Sequence, residues 1–191
     1  MKQFSSAASK VSKKYKPSNL LQFQKLDAQV NCQTYTPLPV VIARGKGVEA
    51  WDIDGRRYLD CIGGYATLNH GHCHPAIAKA MRDQLEVLTH TGQCMMNDKK
   101  LPFQKLLNAT FGFEKSLLMN SGSEACDGAV KIARKWAHTR KGVPDSQARV
   151  VFPTKNFWGR TLASCGATED PIKNSGFGPH TPGFDLIPYN S

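Results

Sequence analysis

A chain of 191 residues with 40% apolar content is the size of one ordinary domain, or of a piece of a larger one, and carries enough apolar side chains for a core. No apolar run approaches the ~18 residues a membrane helix needs, so no membrane partner is expected. The net charge of +10 is a poor sign of a nucleic-acid face. Residues 1 to 26 hold six lysines and no acid, and the other 19 basic residues face 15 acidic ones, a net +4.

The Ser-rich, acid-free arm "MKQFSSAASKVSKKYKP" fits an organelle transit peptide in composition, although it lacks arginine; a solvated tail accounts for it equally well. It has no apolar core of the secretory kind, so the expected compartment is the cytoplasm or the mitochondrial matrix. The six cysteines, Cys32, Cys61, Cys73, Cys94, Cys126 and Cys165, are scattered without a C-x-x-C pair, a pattern of reduced thiols rather than a disulfide frame or zinc ribbon.

In chain order, residues 18 to 33 predict a short entry helix, and "TYTPLPV" (34–40) a proline-stiffened extended segment. "GVEAWDIDGRRYLD" (47–60) predicts a β-hairpin turning at Asp54-Gly55. A helix is expected over 74–90, with Pro75 in its first turn and Ile77, Met81, Leu85 and Leu88 on one face. A second helix is expected over 99–110 with Leu106 and Leu107 inward. A βαβ unit should follow: a strand at 116–119, a helix over about 123–141 and a strand at 149–153. The helix places Ala125, Ala129, Ile132, Ala133 and Trp136 on one apolar face. Val150, Val151 and Phe152 form a run of the buried parallel type. Asp185-Leu186-Ile187-Pro188 can begin a further strand.

The chemistry concentrates at two junctions. "NSGSE" (120–124) joins the first strand of the βαβ unit to its helix, so backbone N–H groups and the positive helix end point at one place, where an anion can sit. Gly122 removes a Cβ from the approach, and Ser121 and Ser123 offer hydroxyls. The same residues would also cap a helix that binds nothing. Neither a Walker A loop nor G-x-G-x-x-G is present, which disfavours a dinucleotide. "NFWGRT" (156–161) follows the next strand, and in a parallel sheet such loops share one crevice. Phe157 and Trp158 there can stack on a flat ring or pack in the core, and Arg160 can hold a carboxylate or make a surface ion pair. "NHGHCHP" (69–75) brings His70, His72, Cys73 and His74 close together without a remote fourth ligand, so a metal is not expected.

The blocks "TYTPLPVVIARGKGVEAWDIDGRRYLD", "NHGHCHP", "NSGSEACDGAVKIARKW", "VVFPTKNFWGRTLAS" and "GFGPHTPGFDLIPYN" resemble the class III pyridoxal-phosphate aminotransferases, the ornithine aminotransferases in particular, from about Thr34 to Ser191. The resemblance implies an α/β chain of the fold type I pyridoxal-phosphate transferases, with a mostly parallel sheet and an incomplete large domain. It implies a basic arm and entry helix over 1–33, the hairpin segment of a small domain over 34–72, and the first part of the cofactor-binding domain over 73–191. The implied cofactor is pyridoxal 5'-phosphate. Gly122 and Ser123 hold its phosphate, Phe157 stacks on its ring, and Trp158 follows in the pocket wall. Arg160 holds the α-carboxylate of L-ornithine, and Tyr35 and Tyr65 line the substrate pocket. "NHGHCHP" becomes a structural turn. Ser123, where these enzymes often carry an aliphatic residue, and Gly63-Gly64 ahead of Tyr65 depart from the pattern.

The implied reaction moves the δ-amino group of L-ornithine to 2-oxoglutarate and yields glutamate 5-semialdehyde, in a homodimer. The family's Schiff-base lysine and the acid at its pyridine nitrogen belong to the half of its chain beyond the matching blocks, and none of the 17 lysines here sits in such a motif. These 191 residues alone are therefore expected to be inactive. A non-catalytic interaction module, or a sister enzyme acting on acetylornithine or 4-aminobutyrate, remain the alternatives.

Overall fold

A computed structural model describes residues 17 and 19–190, so most of the basic arm lies outside the described residues. The chain divides into two compact units, Met1–Met96 and Asn97–Ser191.

In the first unit, helix α1 (Leu20–Val30) starts where Asn19 accepts a hydrogen bond from the Gln22 N–H, which satisfies one of the orphan donors of the first turn. Strands β1 (Ile42–Lys46), β2 (Glu49–Asp52) and β3 (Arg57–Leu59) form a three-stranded antiparallel sheet in that order. The expected hairpin is β2–β3, pairing Trp51 with Arg57 and Glu49 with Leu59. β1 adds to its other edge, with an irregularity in register between Ile42 and Arg44 that lets two residues oppose one.

Asp52 closes the hairpin. It is buried, its Oδ1 accepts the N–H groups of Asp54 (3.0 Å) and Arg56 (2.8 Å), and its Oδ2 accepts the Tyr58 hydroxyl (2.8 Å). Burial opposes ionisation of this carboxyl, but the Tyr58 hydroxyl and the two amides outweigh it and hold the group below its ordinary value. A short helical turn α2 (Gly63–Ala66) and helix α3 (Pro75–Leu85) complete the unit. Pro75 stands at the start of α3, as the sequence suggests, but the helix ends at Leu85, before Leu88.

The second unit contains α4 (Lys100–Phe111), α5 (Gly122–Arg140), β4 (Val150–Pro153), α6 (Leu162–Gly166), α7 (Pro171–Asn174) and β5 (Phe184–Ile187). Gly112 at φ +72 ends α4 in the left-handed conformation that a Cβ disfavours. β4 and β5 pair in parallel with Val150 opposite Phe184 and Pro153 opposite Ile187, so the strand anticipated near Asp185 forms. Arg149 supports the pairing with a two-point bond to the Asp185 carboxylate, Nε donating at 2.6 Å.

Three expectations change. Residues 116–119 form no ladder among the described residues, because an extended run becomes a strand only when a neighbour accepts its hydrogen bonds. On α5 the sheltered side is Cys126, Asp127, Gly128, Val130, Arg134 and Ala137, while Ala125, Ala129, Ile132, Ala133 and Trp136 face outward. β4, β5 and the loops around them shelter only one side of this helix, and the more apolar side is left uncovered. Leu106 is likewise exposed while Leu107 is half-buried, and Ile77, Met81, Leu85, Leu88 and Val151 are exposed. Among the described residues the buried apolar set is only Ala50, Ala148, Cys165 and Ala167.

Replacing Asp52 by Ala removes the acceptor of three hydrogen bonds from a buried position. It should lower stability. Urea unfolding followed by the fluorescence of Trp51, which lies under the Arg44 guanidinium at 4.0 Å, reads the shift in midpoint.

Candidate functional site

The junction at residues 120–124 is a helix start with part of its hydrogen-bonding capacity unspent. Ser121 is the N-cap of α5, with extended backbone, and its hydroxyl accepts the Glu124 N–H at 3.2 Å. Glu124 folds back so that Oε2 accepts the Asn120 N–H at 2.8 Å and Oε1 accepts from the Asn120 side chain at 3.3 Å. The first backbone bond of the helix runs from Ala125 N–H to the Ser121 carbonyl at 3.0 Å. The N–H groups of Gly122 and Ser123 therefore stand at two of the four positions where a helix start offers no internal acceptor. A Cβ built on Gly122 would meet nothing within 4 Å, so the approach to these amides is open. The Ser123 hydroxyl is shut off from solvent with no hydrogen-bond partner.

The loop after β4 interlocks with this helix start. A Cβ on Gly159 would lie 2.0 Å from Ser123 Oγ, and Gly159 has φ +147, so both space and backbone geometry demand glycine there. Thr161 caps α6 by accepting the Ser164 N–H at 3.2 Å, and its hydroxyl donates to Asp127 of α5 at 3.3 Å. Asn156 staples the loop base, its amide donating to the carbonyls of Pro153 (2.9 Å) and Ala167 (2.7 Å). The 156–161 loop thus meets the 120–123 turn at Gly159, against Ser123, and reaches further along α5 through Thr161 and Asp127. Only the position of Gly159, between an aromatic pair and an arginine, hinted at this.

The aromatic pair divides. Trp158 stacks on Phe152 of β4, with ring centres 5.3 Å apart and planes 3° from parallel, and meets the edge of Phe184 of β5 at 6.2 Å. Phe157 points the other way and is 61% exposed, which leaves its ring available to a ligand. The Arg160 guanidinium lies 5.6 Å from the centre of that ring and the Lys173 ammonium 5.4 Å. Lys173 is paired with Asp170 at 2.7 Å. That bond, first of all, then the Ile172 N–H and more weakly the Arg160 charge, holds the Asp170 carboxyl below its usual range. Among the described residues no carboxylate lies within ion-pairing distance of Arg160, so its charge is not spent on a surface salt bridge. The second unit thus presents two unspent amides at a positive helix end, an exposed aromatic face and an arginine. Such a set suits a flat ring carrying a phosphate and a substrate carrying a carboxylate.

The first unit holds the other two predicted residues together. The hydroxyls of Tyr35 and Tyr65 are 2.6 Å apart, and this hydrogen bond raises the Tyr65 phenol above its usual value. Gly63, Gly64, Tyr65 and Ala66 have successive φ values of 55, 58, 56 and 68°, a full left-handed turn. Left-handed backbone costs a non-glycine residue roughly 1–2 kcal/mol, so Tyr65 and Ala66 are held there by their surroundings. The "NHGHCHP" segment folds as a turn. His72 is bonded to Asp60 at 2.7 Å, the His70 and His74 rings meet edge-on at 6.0 Å, and no metal-ligand group of three gathers among the described residues.

Comparison with known proteins defines the class. Residues 30–191 match the family model described as aminotransferase class-III, and the chain belongs to that family. Among individual relatives, it is 40% identical over 185 residues to the mitochondrial ornithine aminotransferase of Rattus norvegicus, covering 97% of this chain and 42% of that protein. It is 42% identical over 165 residues to the ornithine aminotransferase of Bordetella pertussis, covering 86% and 40%. The solved ornithine aminotransferase of Toxoplasma gondii, in whose active site pyridoxal phosphate is partly occupied, superimposes with a TM-score of 0.93 at 40% identity over 97% of this chain and 43% of that one. The acetylornithine aminotransferase of Elizabethkingia anophelis superimposes at 0.76 with 38% identity, over 92% and 42%. The chain spans about two-fifths of the length of the relatives it matches.

Gly159→Ala should push Ser123 and the first turn of α5 away from the loop. Faster hydrogen exchange at the amides of Gly122 to Ala125, with exchange in β1–β3 unchanged, is the expected result.

Proposed function

We propose that this chain is the cofactor-phosphate and substrate-carboxylate portion of a pyridoxal 5'-phosphate-dependent ornithine aminotransferase. The observation that carries the reading is the interlocked junction of Ser123 and Gly159, which sets two free helix-start amides beside an exposed Phe157 and an unpaired Arg160. The cofactor, when bound, supplies an electron sink for proton removal at the carbon bearing the substrate amine. The residues of this chain bind and orient. Gly122 and Ser123 donate backbone N–H groups to the phosphate, aided by the positive end of α5. Phe157 covers one face of the pyridine ring. Trp158 sits in the wall behind it, locked on Phe152, and fixes the course of the loop.

Arg160 receives the α-carboxylate of L-ornithine through its planar fork, which leaves the distal amine to react. Tyr35 and Tyr65 present paired hydroxyls to the substrate and favour ornithine over its N-acetyl derivative. The amino acceptor is 2-oxoglutarate and the product glutamate 5-semialdehyde. The lysine that carries the cofactor and the acid at the ring nitrogen are supplied by sequence outside the matching blocks, so these 191 residues alone do not turn over. The division into a small-domain segment over 34–72 and a cofactor domain from residue 73 follows the same resemblance. A homodimer is the assembly that the same resemblance implies.

Two measurements test the proposal. In the complete polypeptide, Arg160→Ala should lower kcat/KM for L-ornithine by about 10- to 100-fold, the worth of one charge-assisted pair. Phe157→Ala should weaken cofactor affinity about threefold to tenfold, the scale of one aromatic stack. Relative rates on L-ornithine, N-acetylornithine and 4-aminobutyrate decide the amine. A faster turnover of N-acetylornithine would replace the ornithine reading. Tight stoichiometric capture of pyridoxal phosphate by the 191-residue chain alone would overturn its assignment as a partial site.

A further inference from the structure

The left-handed turn at Gly63–Ala66 is held by a specific polar device. Asp60 stands just before it, and its Oδ1 accepts the N–H groups of both Ile62 (2.9 Å) and Gly63 (2.9 Å). Its Oδ2 accepts from His72 Nε2 at 2.7 Å. Both side chains are about four-fifths sheltered, at 21% and 24% exposure. His72 is itself fixed to the sheet, since its N–H donates to the Gly47 carbonyl and its carbonyl accepts the Gly47 N–H, each at 2.8 Å. The imidazole lies so close to β1 that a Cβ on Gly45 would come within 2.5 Å of it. A Cβ on Gly71 would come within 2.8 Å of the Gly47 backbone. The far end of the turn closes with Leu68 N–H on the Gly63 carbonyl (2.9 Å) and the Thr67 hydroxyl on the Gly64 carbonyl (2.8 Å). One rigid path therefore runs from the sheet through His72 and Asp60 into the turn that carries Tyr65.

We infer that Asp60 and His72 are positioning residues for amine selection: they hold the strained turn Gly63–Ala66 so that the Tyr65 hydroxyl stays on Tyr35. The inference rests on the reading of Tyr35 and Tyr65 as substrate contacts. Neither Asp60 nor His72 is assigned any contact with substrate. Removing the clamp lets Gly63, Gly64 and Tyr65 relax toward right-handed backbone, which swings the phenol off its partner. The effect belongs to ground-state recognition of the α-amine, the group that N-acetylation blocks, and falls on KM rather than on kcat.

The test uses the complete aminotransferase loaded with pyridoxal phosphate, with kcat and KM measured for L-ornithine and N-acetylornithine. Asp60→Asn and His72→Phe, the second of which fills the space against Gly45 without a donor, should raise KM for ornithine about tenfold and lower the preference for ornithine equally. Turnover should stay within about twofold. His72→Gln keeps a donor toward Asp60 and should restore most of the preference. Thr67→Val loosens the same turn without touching a charge and should shift KM in the same direction by about threefold, so that failure of Asp60→Asn to fold does not remove the test. Tyr65→Phe separates the two ideas. If it alters the preference while His72→Phe and Thr67→Val do not, the clamp is overturned and the substrate reading stands. If Tyr65→Phe leaves the preference unchanged, the substrate reading fails and the inference with it.

Discussion

The contact between the Gly159 backbone and the Ser123 side chain is the constraint on which the candidate site depends. It brings the loop after β4 against the first turn of α5 more closely than any Cβ would allow. Everything useful nearby follows from that approach. The loop must turn sharply, so that Trp158 goes back onto Phe152 while Phe157 goes outward. Arg160 emerges on the side of Phe157, and Thr161 reaches Asp127 on the helix. The polar bonds around the junction are individually modest, but each fixes a different part of the loop. A site that must hold a ring and an anion in fixed relation needs this stiffness more than it needs binding strength.

The charges in this region show how an arginine is kept free. Lys173 and Asp170 satisfy each other one turn apart, which leaves the Asp170 carboxylate biased toward its lysine. Arg160 feels that carboxylate only at a distance and keeps its fork for something else. An arginine already bonded by a surface acid would make a poor receptor for a substrate carboxylate, since binding would first have to break that pair.

The first unit solves a different problem with similar means. A left-handed turn puts Tyr65 where an ordinary helix would not, and glycines at 63 and 64 bear the first half of it without strain. They ease the backbone ahead of Tyr65. Asp60 supplies acceptors for amides that a left-handed turn leaves without regular partners.

The sequence by itself determined the local elements and the chemistry at their junctions. Proline at the start of α3, Asp54-Gly55 in the hairpin, and Ser121 with Glu124 at the head of α5 act within a few residues, and their effect is readable wherever they occur. The amides at 122 and 123 were legible for the same reason. Tertiary structure alone decided which side of α5 is sheltered, whether residues 116–119 find a strand to pair with, which of Phe157 and Trp158 faces outward, and that His72 bonds Asp60. Those outcomes depend on what chain segment lies opposite. Periodicity marks a face as apolar but carries no information about the distant residues that come to cover it.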